Sequence, residues 1–267
     1  MRPCAERVKE DERIRTTKGE KMSRLNKNFT FERFVVGPCN DFAQAAAIAT
    51  AKSPAKNYNP LFIYGGTGLG KTHLLHAIGL MMEASQPDCR VVYVSAAELT
   101  TELINVIRAD HMPLFREKYR NAGCLLVDDV HDLSGMDRTQ EELFHTFNTL
   151  HDSGRQVVIA GGKFPKDIPH LEERLRSRFQ WGLIAEVKPP DIETRIAIIK
   201  QKMRDSKTVI SDEAVHYIAS LVTSNIAELE GVLVQIGAYG AFARSEITID
   251  LVKRIIKIFR KFESENE

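Results

Sequence analysis

No apolar run in the sequence approaches the roughly eighteen residues that a membrane-spanning helix needs, so none is expected. The basic N-terminus carries no apolar stretch of the kind a secretory signal has, and the expected compartment is the cytoplasm. Cysteine is sparse. Cys4, Cys39, Cys89 and Cys124 stand far apart with no Cys-x-x-Cys pair, which reads as reduced, mostly buried thiols and argues against a disulfide framework or a zinc site. An excess of one charge is lacking too, since the net charge is +1. That excludes a protein that coats nucleic acid by bulk electrostatics; contact with nucleic acid would need local patches. Internal repeats and low-complexity tracts are missing as well.

What is there is a chain of 267 residues, 43% hydrophobic, enough for a packed core. Its most informative stretch is Gly65-Gly66-Thr67-Gly68-Leu69-Gly70-Lys71-Thr72, directly after the apolar run Leu61-Phe62-Ile63-Tyr64. Gly, four residues, Gly, Lys, Thr is a phosphate-binding pattern. Its glycines let the backbone turn tightly and aim N–H groups at phosphate oxygens, while the following helix presents its positive end. Lys71 can reach the β- and γ-phosphates, and the Thr72 hydroxyl can sit on Mg²⁺. A strand pattern precedes the motif, and Leu74, Leu75 and Ile78 follow at helical spacing, which is the context the chemistry needs. The stretch is expected to bind a nucleoside triphosphate.

Residues 1–28 hold nine Lys/Arg against five Asp/Glu with almost no apolar periodicity, so a disordered basic tail is expected, with Met22 as an alternative start. Order is expected from Phe29-Thr30-Phe31. A helix over 41–52 follows, with Asn40 or Asp41 as its cap, and Ser53-Pro54 ends it. Strands are expected at 61–64, 90–94, 124–127, 156–160 and near 183–187. Helical patterns follow Thr72 and occupy 96–108, 113–120, 139–151 and 171–177. Short buried strands alternating with helices imply an α/β fold, a parallel sheet with helices on both faces. Pro189-Pro190 marks a boundary, and 191–206, 211–222, 225–243 and 250–262 read as helices alone. The expected organisation is a nucleotide-binding base over 29–188, a small all-helical lid over 189–262 and a disordered end over 263–267.

The apolar run Cys124-Leu125-Leu126-Val127 leads into Asp128-Asp129, as a phosphate-loop enzyme requires at a neighbouring strand end. Asp128 is assigned to the Mg²⁺ shell and Asp129 to the attacking water. Glu142-x-x-His145 is half of a di-iron pattern with no second copy, so it reads as helix surface. His73 and His76 share a helix face without a third ligand, and no transition metal is expected. His131 and Asp132 follow the acidic pair; they can touch the site or simply be loop polarity.

Beyond these motifs the chain resembles the bacterial chromosomal replication initiator family DnaA, which is of the AAA+ type. The resemblance rests on Asn59 through His73, on Phe115-Arg116-Glu117-Lys118-Tyr119-Arg120, on Thr139 through His151, on Arg174-Leu175-Arg176-Ser177-Arg178-Phe179 and on Glu228-Leu229-Glu230-Gly231. It implies ATP or ADP with Mg²⁺ as ligands, held by the loop residues through His73, with Val35, Val36 and Asn40 at the adenine end. It implies that Arg178 is an arginine finger inserted into a neighbouring subunit's ATP, so that the active site forms between protomers. Such a finger is worth about three to five orders of magnitude in rate. It further implies that 96–122 form the insertion that distinguishes initiators. This insertion and the loop after the acidic strand would face single-stranded DNA, with Ile104 and Arg138 at matching positions and Arg108, Arg116, Lys118 and Arg120 adding positive charge.

Three departures temper the carry-over. Ala160-Gly161-Gly162-Lys163 stands where the family has polar sensor residues ending in Asp, leaving Lys163 as the nearby polar substitute. Ala227 stands where the family has a lid arginine that reads the γ-phosphate. Both changes imply slow turnover and weak discrimination between ATP and ADP. The chain also stops at Glu267, before the position of the family's helix-turn-helix domain for duplex DNA boxes, and the charge-rich 28-residue N-terminal stretch is not expected to replace the family's N-terminal domain. The last helix is amphipathic and basic; its stripe is read as packing on the lid, with acidic membrane lipid as the alternative. The expected function is ATP-dependent oligomerisation and single-stranded DNA engagement in replication initiation. Alternatives are a regulatory paralogue that lends Arg178 to a full-length DnaA, and a non-catalytic nucleotide-dependent adaptor.

Overall fold

The strands are short, and their side chains alternate between two apolar surroundings. In the computed structural model, which describes residues 24–56, 58–206, 208–223, 225–243 and 247–264 (for 241–243 and 258–264 the backbone alone), five strands form one sheet. They are β1 (Leu61–Tyr64), β2 (Val91–Ser95), β3 (Cys124–Asp128), β4 (Gln156–Gly161) and β5 (Leu183–Glu186), in the order β2-β3-β4-β1-β5. Every pairing is parallel. Leu61, Ile63, Leu126 and Val158 face one way, against Ala43 and Ala47 of α1 (Asp41–Lys52) and Leu74, Leu75 and Ile78 of α2 (Lys71–Ser85). Phe62, Leu125, Val127 and Ile159 face the other way. They meet α3 (Ala96–Arg108), α4 (Met112–Arg120), α5 (Asp137–Asp152) and α6 (Glu173–Gln180) through Leu103, Tyr119, Phe147 and Phe179. The period-2 alternation of a strand sends neighbouring residues to opposite faces, and helices on both faces require apolar residues at both.

Beyond β5 lie α7 (Ile192–Asp205), α8 (Asp212–Leu221), α9 (Ile226–Ala243) and α10 (Ile249–Ser264). Ile199, Ile218, Leu229, Ile236, Val252 and Ile255 make a separate core among them. Val252 and Ile255 of α10 are buried there, so that part of its apolar stripe is spent inside the lid. None of the helices in the described residues is long and apolar enough to cross a membrane.

Four expectations need correction. Ordered packing starts before Phe29: Leu25 is buried against Gly79 and Leu126, and the Asn26 N–H donates to His76 Nδ1 at 3.2 Å. An apolar residue with a sheet face to cover outweighs the charge around it. Most of the tail, with Met22 and Cys4, lies outside the described residues. Helix α10 runs on to Ser264, into the stretch expected to be disordered. Among the described residues only Cys124 is fully buried, whereas Cys39 and Cys89 are half-buried. Helix α6 starts at Glu173 rather than at 171. Gln140 Oε1 accepts the Glu172 N–H at 2.7 Å and the Leu171 carbonyl accepts from Arg176, which holds that pair extended.

Candidate functional site

The loop after β1 owes its shape to glycine. Gly68 and Gly70 have φ of 71° and 96°, in the left-handed region that side chains disfavour. At Gly65, with φ 155°, a Cβ would sit 2.2 Å from the Val187 carbonyl oxygen. The loop therefore nestles under the end of β5 and delivers Lys71 and Thr72 to the first turn of α2. Lys71 is almost fully buried, and its Nζ donates to the Gly66 carbonyl at 2.8 Å, bridging the loop. Burial pulls its pKa below the usual lysine value, while Asp129 and Asp128 oppose the fall. The ammonium thus waits, poorly solvated, for an anion.

The acidic strand end meets this loop directly. Thr72 Oγ1 donates to Asp128 Oδ2 at 2.6 Å, joining residues 56 apart. Tyr93 on β2 donates to the same oxygen at 3.0 Å, and the Asp129 N–H caps Asp128 Oδ1 at 2.9 Å. The Tyr93 phenol is pushed upward by burial and by the Asp128 charge, so it stays a donor. Tyr93 escaped the sequence reading, since nothing in a strand pattern announces a partner on the next strand. Asp129 adopts φ 51° and has its pKa raised, first by burial and then by the Asp128 charge. A carboxylate held that way is the better proton acceptor.

The remaining expected residues are placed as follows. Gly66, Thr67 and Leu69 complete the loop, with Leu69 buried in the core beneath it. Asn40 is buried; its amide donates to the Val35 carbonyl at 3.1 Å and accepts the Gly37 N–H at 3.0 Å. It braces the turn that carries Val35, packed on the lid core, and Val36, which is exposed. His73 is committed elsewhere: its Nε2 donates to the Thr30 carbonyl at 2.8 Å and its ring stacks on Phe29. It holds down the N-terminal segment. The lid leans on the loop, with the Ile226 N–H bonded to the Gly68 carbonyl at 3.0 Å. Ala227 is so close that a Cβ on Gly68 would lie 2.9 Å from its own.

Arg178 sits at the end of α6, with its guanidinium 4.5 Å from the Trp181 ring and 5.9 Å from that of Phe144. Ile104 is exposed on α3, as are Ile107 and, on α4, Leu114; Arg138 is exposed at the start of α5. The positive charge expected on α4 is largely neutralised. Arg116 and Arg120 both bond Glu142, at 2.6 and 3.0 Å, and Lys118 pairs with Glu102. Glu142 is thus an ion-pair partner on α5.

A glycine loop between strand and helix, tied through Thr72 to an acidic strand end and roofed by a helical lid, defines a phosphate-loop ATPase of the AAA+ type. The model of the bacterial DnaA ATPase domain matches residues 25–186, and the chain belongs to that family. It is 50% identical over 246 residues to the chromosomal replication initiator protein DnaA of Caldanaerobacter subterraneus subsp. tengcongensis, covering 92% of this chain and 56% of that protein. The chain thus spans about half the length of that curated relative. Domain III of the Thermotoga maritima replication initiation protein DnaA is 41% identical with a TM-score of 0.85, over 89% of this chain and 99% of that one. A replication initiator DnaA bound to AMPPCP and single-stranded DNA is 36% identical with a TM-score of 0.75, over 80% of this chain and 66% of that one.

Proposed function

We propose that this chain binds ATP with Mg²⁺, assembles through it, and serves replication initiation by engaging single-stranded DNA. One observation carries the reading: the Thr72–Asp128 bond, which sets a hydroxyl and a carboxylate side by side next to the buried Lys71. Such a hard-oxygen pair fits Mg²⁺, which takes one or two protein oxygens and fills its shell with water and phosphate. Thr72 and Asp128 would hold the ion, and its charge would neutralise that developing on the phosphates. Lys71 would bind the phosphates and Asp129 would orient water. Arg178 would act on the nucleotide of a neighbouring copy, or of a full-length DnaA. Ile104 and Arg138 would contact the DNA strand. Ala227 and Gly162 leave fewer groups to act on the γ-phosphate, so turnover is slow.

The test is ATP binding and phosphate release by this chain, with and without single-stranded DNA, against Lys71→Ala and Asp129→Ala. The expected result is binding lost with Lys71→Ala, turnover lost with Asp129→Ala, and a larger particle with ATP in light scattering. Binding that survives Lys71→Ala would overturn the site. A particle that stays monomeric with ATP at high concentration would overturn assembly.

A further inference from the structure

The C-terminal ends of β3, β4 and β1 lie side by side, carrying Asp128-Asp129, Gly161-Gly162 and the phosphate loop. Gly65, Gly66, Gly162 and Lys163 line one hollow along the ends of β1 and β4. A nucleotide laid on the loop directs its terminal phosphate toward Lys71, Thr72 and Asp128, that is, toward this trio of strand ends. Gly162 brings no side chain to it. A polar group stands beside it, because a Cβ built on Gly162 would be in van der Waals contact with the His131 imidazole, with three ring atoms at 3.5 Å.

The hydrogen bonding of that ring defines its chemistry. The Gly162 N–H bonds His131 Nδ1 at 3.1 Å. A backbone N–H can only donate, so Nδ1 accepts and the ring proton sits on Nε2. The nearest acid to Nε2 is Asp132 Oδ1 at 3.8 Å, beyond hydrogen-bond reach. Asp129 Oδ1 lies 4.0 Å from Nδ1. His131 therefore presents an oriented Nε2–H donor with no hydrogen-bond partner among the described residues, on a ring that stands next to Asp129. We propose that His131 is the group by which this site distinguishes a nucleoside triphosphate from a diphosphate, donating its Nε2–H to the terminal phosphate. The assignment rests on the nucleotide reading above.

Asn and Gln separate the two nitrogens. An Asn side chain sets an acceptor near the Nδ1 position without reaching Nε2, and a Gln amide reaches the Nε2 position. Calorimetric titration of the whole chain with Mg²⁺ and AMPPCP or ADP gives the affinity ratio independently of turnover. His131→Ala and His131→Asn are expected to lower the AMPPCP-to-ADP ratio by about tenfold, the loss of one hydrogen bond to a charged oxygen. ADP affinity should stay within about twofold. His131→Gln is expected to keep most of the ratio. An unchanged ratio in His131→Ala, or a ratio kept by Asn and lost by Gln, would overturn the assignment and leave His131 as a brace for Gly162. Absence of any binding that Lys71→Ala removes would instead overturn the phosphate-loop reading, and this assignment with it.

Discussion

Gly65 and Gly135 illustrate how differently a single Cβ can act. Both have positive φ, but at Gly135 nothing lies within 4 Å of an added Cβ, whereas at Gly65 the Val187 carbonyl oxygen would be 2.2 Å away. Gly135→Ala is expected to cost about 1 kcal/mol of conformational strain, read from urea unfolding midpoints. Gly65→Ala should cost about 3 kcal/mol or more and weaken nucleotide binding, because a backbone oxygen must move. Asp129 gives a second contrast. Burial and the Asp128 charge raise its folded pKa above the ordinary aspartate value, so its ionisation is less favourable in the folded state. Its contribution to stability is full below the unfolded pKa and is lost as pH rises through the folded one. Asp129→Asn is therefore expected to unfold at higher urea than the parent at neutral pH, with the gap closing as pH falls below the ordinary aspartate value. The same variant should lose ATP turnover. A parent more stable than Asp129→Asn at pH 7 would refute the assigned strain.

At the scale of elements, α4 and α5 are fastened by charge. Glu142 accepts from Arg116 and Arg120, and the hydrogen bond from Arg116 is the main reason its carboxyl titrates lower than usual. A depressed carboxylate stabilises above its unfolded pKa and loses that contribution as pH falls through the folded one. Glu142→Ala should cost about 1–2 kcal/mol at pH 7, and less below pH 4, by thermal melts across pH. The freed arginines should also steepen the salt dependence of single-stranded DNA binding. Helix α6 offers a different handle. Trp181 is the chain's only tryptophan, 59% exposed, stacked on His151 and beneath Arg178. If α6 faces a neighbouring copy, ATP-driven assembly will shift Trp181 emission, and Arg178→Ala will reduce the shift. Emission that ignores ATP while the particle grows would place α6 outside the interface.

The molecule as a whole joins base and lid around the loop. The Gln201 amide donates to the Arg33 carbonyl at 3.0 Å, and a Cβ on Gly37 would meet Thr194 Oγ1 at 2.0 Å. With the Ile226 N–H on the Gly68 carbonyl, the lid contacts the base both at the N-terminal segment and at the loop proposed to bind nucleotide. A ligand bound there stabilises both, by about 2.7 kcal/mol at a hundred times its Kd. Hydrogen exchange should show that protection reaching α8 and α9 when ATP binds, and stopping at α2 if lid and base respond separately.

The phosphate loop, the strands and the helices were legible from the amino acids because each is a local pattern. Glycines at left-handed positions, alternating apolar residues and helical stripes act within a few residues of themselves. The acidic pair was legible for the same reason, as an apolar strand running into two carboxylates. What the amino acids left open was decided over long sequence separations. His73 lies next to Thr72, yet it bonds Thr30; His131 had equal claims as loop or site until β4 brought Gly162 beneath it. Glu142 looked like bare surface until α4 supplied two arginines. Which side chain reaches which partner depends on strand register and helix rotation, and those are set by burial across the whole sheet rather than by any neighbour along the chain.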